Sequence, residues 1–320
     1  MGLEHVIAAV MVGGLVLYVL GGGADFGGGV WDLLASGPRK DDQRALIERT
    51  IGPIWEANHV WFIFVFVLFF SAFPPAFATL TTALFTPLTL YAMGLVMRGS
   101  AFTFRHYDSD PVRRRRFGAL FSAASIGCPF ILGAIGAAMV RERPLSLELD
   151  LFVVAGGFFM LALVAALAAT YLAVAATDEA VREDFRRRAI VSLVVAGAAS
   201  WLALAVAADV APLLITRVGF GLPALAGTLL GFLAVAMQAT RRYRAARFAV
   251  GALASTVVIG WAVAKGEVLV WGEHTLASSR AHPATLQVLL IASAVAAVLV
   301  MPSLALLFSV FSQRAAKGLS

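Results

Sequence analysis

Nine long apolar segments, separated by short polar connections, dominate the pattern of hydrophobic and polar positions along this 320-residue chain. A membrane-spanning helix needs about 20 mostly apolar residues. The pattern therefore predicts nine transmembrane helices, at residues 6–34, 53–72, 75–97, 117–140, 151–176, 189–208, 220–239, 246–264 and 284–311. Because Phe73-Pro74-Pro75 leaves little room for a loop, we expect a tight hairpin between the second and third helices.

The composition agrees with a membrane protein, because 60% of the residues are hydrophobic and only 14% are charged. A soluble domain has about 25% charged residues, and the 23 phenylalanines and 6 tryptophans exclude a disordered chain. We therefore expect an all-α integral membrane protein with one polytopic domain over residues 1–320. Cys128 is the only cysteine, which excludes an internal disulfide. The first residues lack a basic region, so we expect no cleavable signal peptide.

Positive charge alternates between the connections. The first, third, fifth and seventh connections and the C-terminal tail hold 20 of the 25 lysine and arginine residues. Since cytoplasmic loops carry an excess of Lys and Arg, this distribution predicts an N-terminus outside and a C-terminus in the cytoplasm. The net charge of +6 is then an orientation signal, and we expect no binding to nucleic acid.

Asp25 is an ionisable residue inside the first apolar segment, within the glycine-rich stretch 21–29. Such a residue costs about 2.5–3.5 kcal/mol on insertion scales, so it needs a role. The small neighbouring residues favour close approach of another helix. Asp32 follows seven residues later on the same helical face. Two interpretations stay open: a functional acid at Asp25, or two interfacial acids that face cytoplasmic water or pair with Arg39.

The second segment opens with Pro53 and carries Glu56 and His59, three residues apart and therefore on one face. A carboxylate beside an imidazole at a membrane entrance could collect protons and pass them inward. The alternative is that Glu56 stabilises the N-terminal turn of the helix, with His59 as an interfacial polar residue.

Basic residues close the third segment and open the fourth. Arg98 and Arg105 are interpreted as anchors that reach to the interface, and the run Arg113 to Arg116 as a topology determinant that also contacts anionic lipids. The five histidines form no H-x-x-H pair, so the residues by themselves indicate no metal or haem site and no catalytic set.

Residues 51–61, together with the downstream Phe73-Pro74, resemble the helix-two signature of cytochrome bd-type terminal oxidase subunit II. The glycine-flanked Asp25 and the segment 98–105 resemble two further segments of that family. All three matches fall in the first third of the chain. The length is similar to that of the short, cyanide-insensitive-type members.

The resemblance implies a haem-free subunit II of a respiratory oxidase in the bacterial cytoplasmic (inner) membrane. It implies two four-helix bundles plus a peripheral helix, paired in a heterodimer with subunit I, to which small single-span subunits can be added. Subunit I would oxidise quinol and reduce oxygen to water electrogenically, at haems b558, b595 and d, or with a b-type haem replacing d. This chain would not be catalytic alone and would bind no cofactor, although the resemblance allows a structural quinone or lipid.

The resemblance also implies roles for individual residues. The expected proton path comprises Glu56, Asp25, Trp61, His59 and Thr103, and the expected structural motif comprises Trp55, Asn58, Arg98 and Arg105. Many family members have an acid where this chain has Thr103, and a hydroxyl cannot hold a proton as a carboxylate does. The alternative function is a small-solute or ion transporter, which would show polar groups near mid-membrane and broken helices in matched halves.

Overall fold

The computed structural model describes residues 2–219 and 221–316, and for residues 51–58, 106, 219, 304–305 and 307–316 it describes only the course of the backbone. The elements in chain order are α1 (Leu3–Leu33), α2 (Lys40–Ala72), α3 (Pro74–Ala83), α4 (Phe85–Tyr107), α5 (Pro111–Val140), α6 (Leu151–Ala175), α7 (Glu179–Val206), α8 (Pro212–Leu214), a π-helical turn (Ile215–Gly219), α9 (Leu222–Ala239), α10 (Tyr243–Lys265), β1 (Val268–Val270), β2 (His274–Thr275), α11 (Leu276–Ser279) and α12 (Pro283–Ala316).

Every predicted apolar segment overlaps a described helix, but several helices extend beyond the apolar residues. α7 begins at Glu179 instead of residue 189, because the Asp178 side chain accepts a 2.8 Å hydrogen bond from the Val181 backbone N–H and caps the helix there. α2 likewise begins in the charged connection, at Lys40. Both helices therefore begin earlier than hydropathy alone indicates, at the ends that the charge pattern predicts to face the cytoplasm.

The third predicted helix, 75–97, is wrong as a continuous element. α2 and α3 are bent by 119° at Phe73, which confirms the expected sharp turn, and Pro74 and Pro75 occupy the first turn of α3. A second break at Leu84 then separates α3 from α4. Pro87 explains this break, because it lacks the N–H that would bond to the Ala83 carbonyl in a continuous helix.

The described residues contain seven helices long and apolar enough to cross a membrane, or eight if the bent α2–α3 pair forms one span. α4 is not among them, because Arg98 and several hydroxyl-bearing residues lower its apolar character. The chain is a helical multi-pass membrane protein, and its described part also contains one small antiparallel sheet. In that sheet Val268 pairs with Thr275 and Val270 with His274.

The core lies around α6, whose alanine-rich sequence lets neighbouring helices pack closely. α6 contacts α1, α5, α7 and α10. Leu163, Ala166 and Leu167 on α6 are fully buried between α1 and the later helices. This packing draws the glycine-rich half of α1 into the centre of the bundle.

Candidate functional site around Asp25 and Arg98

The glycines of α1 allow the close approach that the sequence predicted for this stretch. A Cβ atom on Gly27 would lie 2.1 Å from the backbone carbonyl oxygen of Val164 on α6. A Cβ atom on Gly29 would lie 2.0 Å from the Ser125 hydroxyl on α5. Since neither distance is compatible with a side chain, both positions require glycine, and this stretch of α1 is thereby held against α5 and α6.

Asp25 forms a bidentate ion pair with Arg98 of α4. Arg98 Nη1 donates to Asp25 Oδ2 at 2.7 Å, and Nη2 donates to Asp25 Oδ1 at 2.8 Å and to the Asp25 backbone carbonyl at 2.9 Å. Only 1% of each side chain is exposed. Both charges are thus compensated inside the bundle, as buried charges must be.

Arg98 is fixed on its remaining sides by α1 and α5. Its Nε donates to Ser125 Oγ at 2.8 Å, and that hydroxyl donates in turn to the Phe121 carbonyl at 2.7 Å. The guanidinium carbon lies 5.1 Å from the Phe26 ring centre and 4.7 Å from the Phe121 ring centre, within cation–π range. The interpretation of Arg98 as an anchor that reaches to the interface is therefore wrong.

Asp32 forms a second pair one step further along α1. Arg105 Nη1 donates to Asp32 Oδ2 at 2.7 Å, and Arg44 Nε lies 3.7 Å from Asp32 Oδ1. Arg39 instead donates to Asp184 of α7 at 2.7 Å and 2.9 Å. The alternative in which Asp25 or Asp32 pairs with Arg39 is thus wrong, because the nearest arginine in sequence turns to another helix.

A third pair, missed by the sequence analysis, joins the buried hydroxyls of Tyr18 and Tyr91. All three pairs share one sequence separation of 73 residues: Tyr18 with Tyr91, Asp25 with Arg98, and Asp32 with Arg105. A constant separation means that α1 and α4 run parallel, in steps of seven residues or about 10 Å. In the sequence, this arrangement is visible as three polar side chains repeated at intervals of seven residues in each helix. We call these six residues the α1–α4 ladder.

The other predicted site residues are placed unevenly around this ladder. His59 on α2 lies close enough to Asp25 and Arg98 for electrostatic interaction, and Trp61 packs at the cluster that contains Tyr18 and Tyr91. Thr103 is exposed, and its hydroxyl donates to the Gly99 carbonyl of its own helix at 3.1 Å. The structure therefore brings His59 and Trp61 to the ladder but does not bring Thr103 to Asp25.

The side chains of Trp55, Glu56 and Asn58 lie outside the described residues. Their backbone belongs to α2, and the roles expected for them stay predictions. Helical spacing puts Glu56 one turn before His59 on the same face.

Among the described residues, no group of three or more His, Cys, Asp or Glu side chains could hold a metal ion. An apolar cavity of about 730 Å³ lies between α1 and the helices from α5 to α10, with Tyr18, Trp201 and Trp261 in its wall. Its lining suits an apolar ligand, and the expected structural quinone or lipid stays a prediction.

Comparison with known proteins matches residues 3–311 to the family model of cytochrome bd terminal oxidase subunit II. Cytochrome bd ubiquinol oxidase subunit 2 of Bacillus subtilis (strain 168) is 30% identical over 129 residues, which are 40% of this chain and 38% of that protein. A putative cytochrome bd menaquinol oxidase subunit II of the same organism is 28% identical over 102 residues, 32% of this chain and 30% of that protein. The alignments thus span about a third of the length of these curated relatives.

Among solved structures, a chain of the bd oxidase from Geobacillus thermodenitrificans matches with a TM-score of 0.81. The match covers 97% of this chain and 99% of that chain at 18% sequence identity. At this identity the likeness shows a shared fold.

Proposed function

Because the chain belongs to the cytochrome bd terminal oxidase subunit II family, we propose that it is the haem-free subunit of a bd-type quinol oxidase in the bacterial cytoplasmic membrane. The observation that carries this proposal is the family match over residues 3–311, and the fold likeness over 97% of the chain supports it. Both support an oxidase subunit over the transporter alternative.

In this proposal the chain pairs with a haem-bearing subunit I and stabilises it. The haems of subunit I would carry electrons from quinol to oxygen. The chain would cross the membrane nine times, with its N-terminus outside and its C-terminus in the cytoplasm, in two four-helix bundles plus a peripheral helix. The alternation of basic residues between the connections supports this orientation.

The chain's own contribution to the reaction is a cytoplasmic proton-uptake path that starts at Glu56. A carboxylate at this point can bind and release protons, and His59 follows one turn inward. The Asp25–Arg98 pair supports the path, because it places a fixed pair of mutually compensating charges near His59. Both Asp25 carboxylate oxygens are occupied by Arg98, so Asp25 supports the path without carrying the proton itself.

The experiment that tests the proton role is Glu56→Gln in the assembled complex. An amide cannot carry the proton, so we expect quinol-driven oxygen consumption to fall by roughly a hundred-fold, the lower end of what a positioned proton carrier contributes. Haem content should stay normal, because the substitution preserves side-chain shape. Glu48→Gln, eight residues earlier on α2, is the matched control and should keep full turnover. Normal turnover of Glu56→Gln across the pH range would leave the chain a purely structural subunit.

A further inference from the structure

The run Arg113 to Arg116 at the start of α5 is an exposed basic surface outside the proposed proton path. Arg113 Nε lies 3.0 Å from Asp108 Oδ2 and 3.4 Å from Asp110 Oδ2, so its charge is compensated locally. In the described part of the chain, Arg114, Arg115 and Arg116 form no ion pair. They leave a concentrated excess of positive charge.

Several other arginines of the chain form ion pairs with carboxylates of α7. Arg39 pairs with Asp184 at 2.7 Å. Arg186 and Arg187 both pair with Glu183, at 2.7 Å and 3.0 Å. At the start of α5, by contrast, three adjacent arginines have no ion pair with any described residue.

Neither helix stability nor orientation accounts for this arrangement fully. Cations in the first turn of a helix are disfavoured by the helix dipole, so the arginines do not stabilise α5. An orientation signal requires only basic residues somewhere in the connection. It does not require three adjacent uncompensated guanidinium groups.

An exposed apolar surface lies next to the run. Phe104 is 54% exposed, Tyr107 81% and Val112 59%. The Phe104 ring packs on Phe117 of α5 at 5.4 Å between ring centres, which joins the two helices below the arginines. Aromatic side chains beside a cluster of basic residues are typical of the boundary between lipid tails and headgroups.

We propose that Arg114, Arg115 and Arg116 bind the headgroup phosphate of an anionic phospholipid, with its acyl chain against Phe104 and Val112. Guanidinium groups suit this ligand because they donate two parallel hydrogen bonds to phosphate oxygens. The charges are complementary, since the nearby Asp108 and Asp110 pair with Arg113 and the other three guanidinium groups keep their positive charge. This site is independent of the oxidase role, and its test measures lipid binding.

The test uses the purified complex in lipid nanodiscs that contain a photoreactive phosphatidylglycerol, with a photoreactive phosphatidylcholine in a parallel sample. Cross-linked peptides are then mapped by mass spectrometry. We expect phosphatidylglycerol to label residues 104–117 and phosphatidylcholine to label them far less. Arg114→Gln, Arg115→Gln and Arg116→Gln should each lower labelling about five-fold, as expected for one basic side chain at an anionic surface.

Two control variants separate headgroup binding from orientation and from general charge. The triple lysine variant R114K/R115K/R116K keeps the charges in this connection and should retain most of the labelling. Arg187→Gln removes an exposed arginine whose charge is matched by Glu183 and should leave labelling of residues 104–117 unchanged. Equal labelling by both lipids, labelling unaffected by the glutamine variants, or cross-links from this surface to subunit I in place of lipid would overturn the proposal.

Discussion

Asp25 and Arg98 are two full charges inside an apolar bundle, each with 1% of its side chain exposed. Taking either charge out of water costs several kcal/mol, and only close pairing with further hydrogen bonds offsets that cost. Arg98 meets this condition through Ser125 and two aromatic rings. The pair is therefore a position where single substitutions have large effects.

Arg98→Gln should destabilise the chain by about 3–5 kcal/mol, because it leaves the Asp25 carboxylate buried without a compensating charge. Asp25→Asn should have an effect of similar size for the opposite reason. The double variant D25N/R98Q should lose less than the sum of the two, since it removes both charges together. The unfolding temperature of all three variants is measured on the purified complex, with release of this chain from the complex as the signal. Additive losses would show that the two residues act independently.

The Asp32–Arg105 pair should matter less. Arg105 has 26% of its side chain exposed, and Arg44 lies beside the same carboxylate. Without Asp32, Arg105 keeps a charge that water can partly reach, which costs less than an uncompensated charge at the fully buried Arg98. Asp32→Asn should therefore lower the unfolding temperature clearly less than Asp25→Asn. The same unfolding measurement decides this order, and the reverse order would contradict the burial described for the two pairs.

The sequence predicted the two acids on the α1 side of this ladder but not their partners on α4. The seven-residue spacing of Asp25 and Asp32 predicted a shared face, and the structure agrees. Periodicity identifies the face of a helix but not the helix that faces it, so the partner Arg98, 73 residues away, could not be derived. Arg39 was considered because it is near in sequence, and Arg39 in fact pairs with Asp184.

Packing between α1 and α6 depends on glycine in a way that can be tested within one helix. Gly27→Ala would place a Cβ atom 2.1 Å from the Val164 carbonyl oxygen, a backbone atom that cannot rotate away. Overpacking of this kind costs about 1–3 kcal/mol. Gly13→Ala is the matched control, because no atom lies within 4 Å of a Cβ there. We expect a lower unfolding temperature for Gly27→Ala and no loss for Gly13→Ala. Equal behaviour would argue against the close approach of α1 and α6.

Helix positions were largely predictable and helix breaks were not. Long apolar segments gave both ends of α1, α6 and α10 to within about three residues, whereas α5 begins six residues before its predicted start. The break at Leu84 falls inside continuous apolar sequence, where hydropathy carries no signal. Pro87 was the visible clue, but its effect is on a backbone hydrogen bond, which a hydropathy pattern does not register.

The orientation of the whole chain is a prediction from charge alone. Twenty of the 25 basic residues lie in alternate connections and the C-terminal tail. A periplasm-active reporter fused in the connection 141–150 should therefore be active and one fused in the connection 108–110 inactive. A cytoplasm-active reporter should give the opposite result at both sites. Activity of the same reporter in both connections would contradict nine spans with an outside N-terminus.

The apolar surface that remains exposed also concerns the whole molecule. Large hydrophobic side chains such as Phe85, Phe232 and Val298 are 68–73% exposed in the isolated chain. Lipid covers such surfaces on a membrane protein, and in our proposal subunit I covers part of them.

Purification of the complex through an affinity tag on this chain tests the central claim most directly. The account predicts that a haem-bearing partner copurifies, that the complex consumes oxygen when quinol is supplied, and that this chain shows no Soret absorbance once separated from the partner. A tagged chain that purifies without haem-bearing partner or quinol oxidase activity, or that itself carries stoichiometric haem, would contradict it.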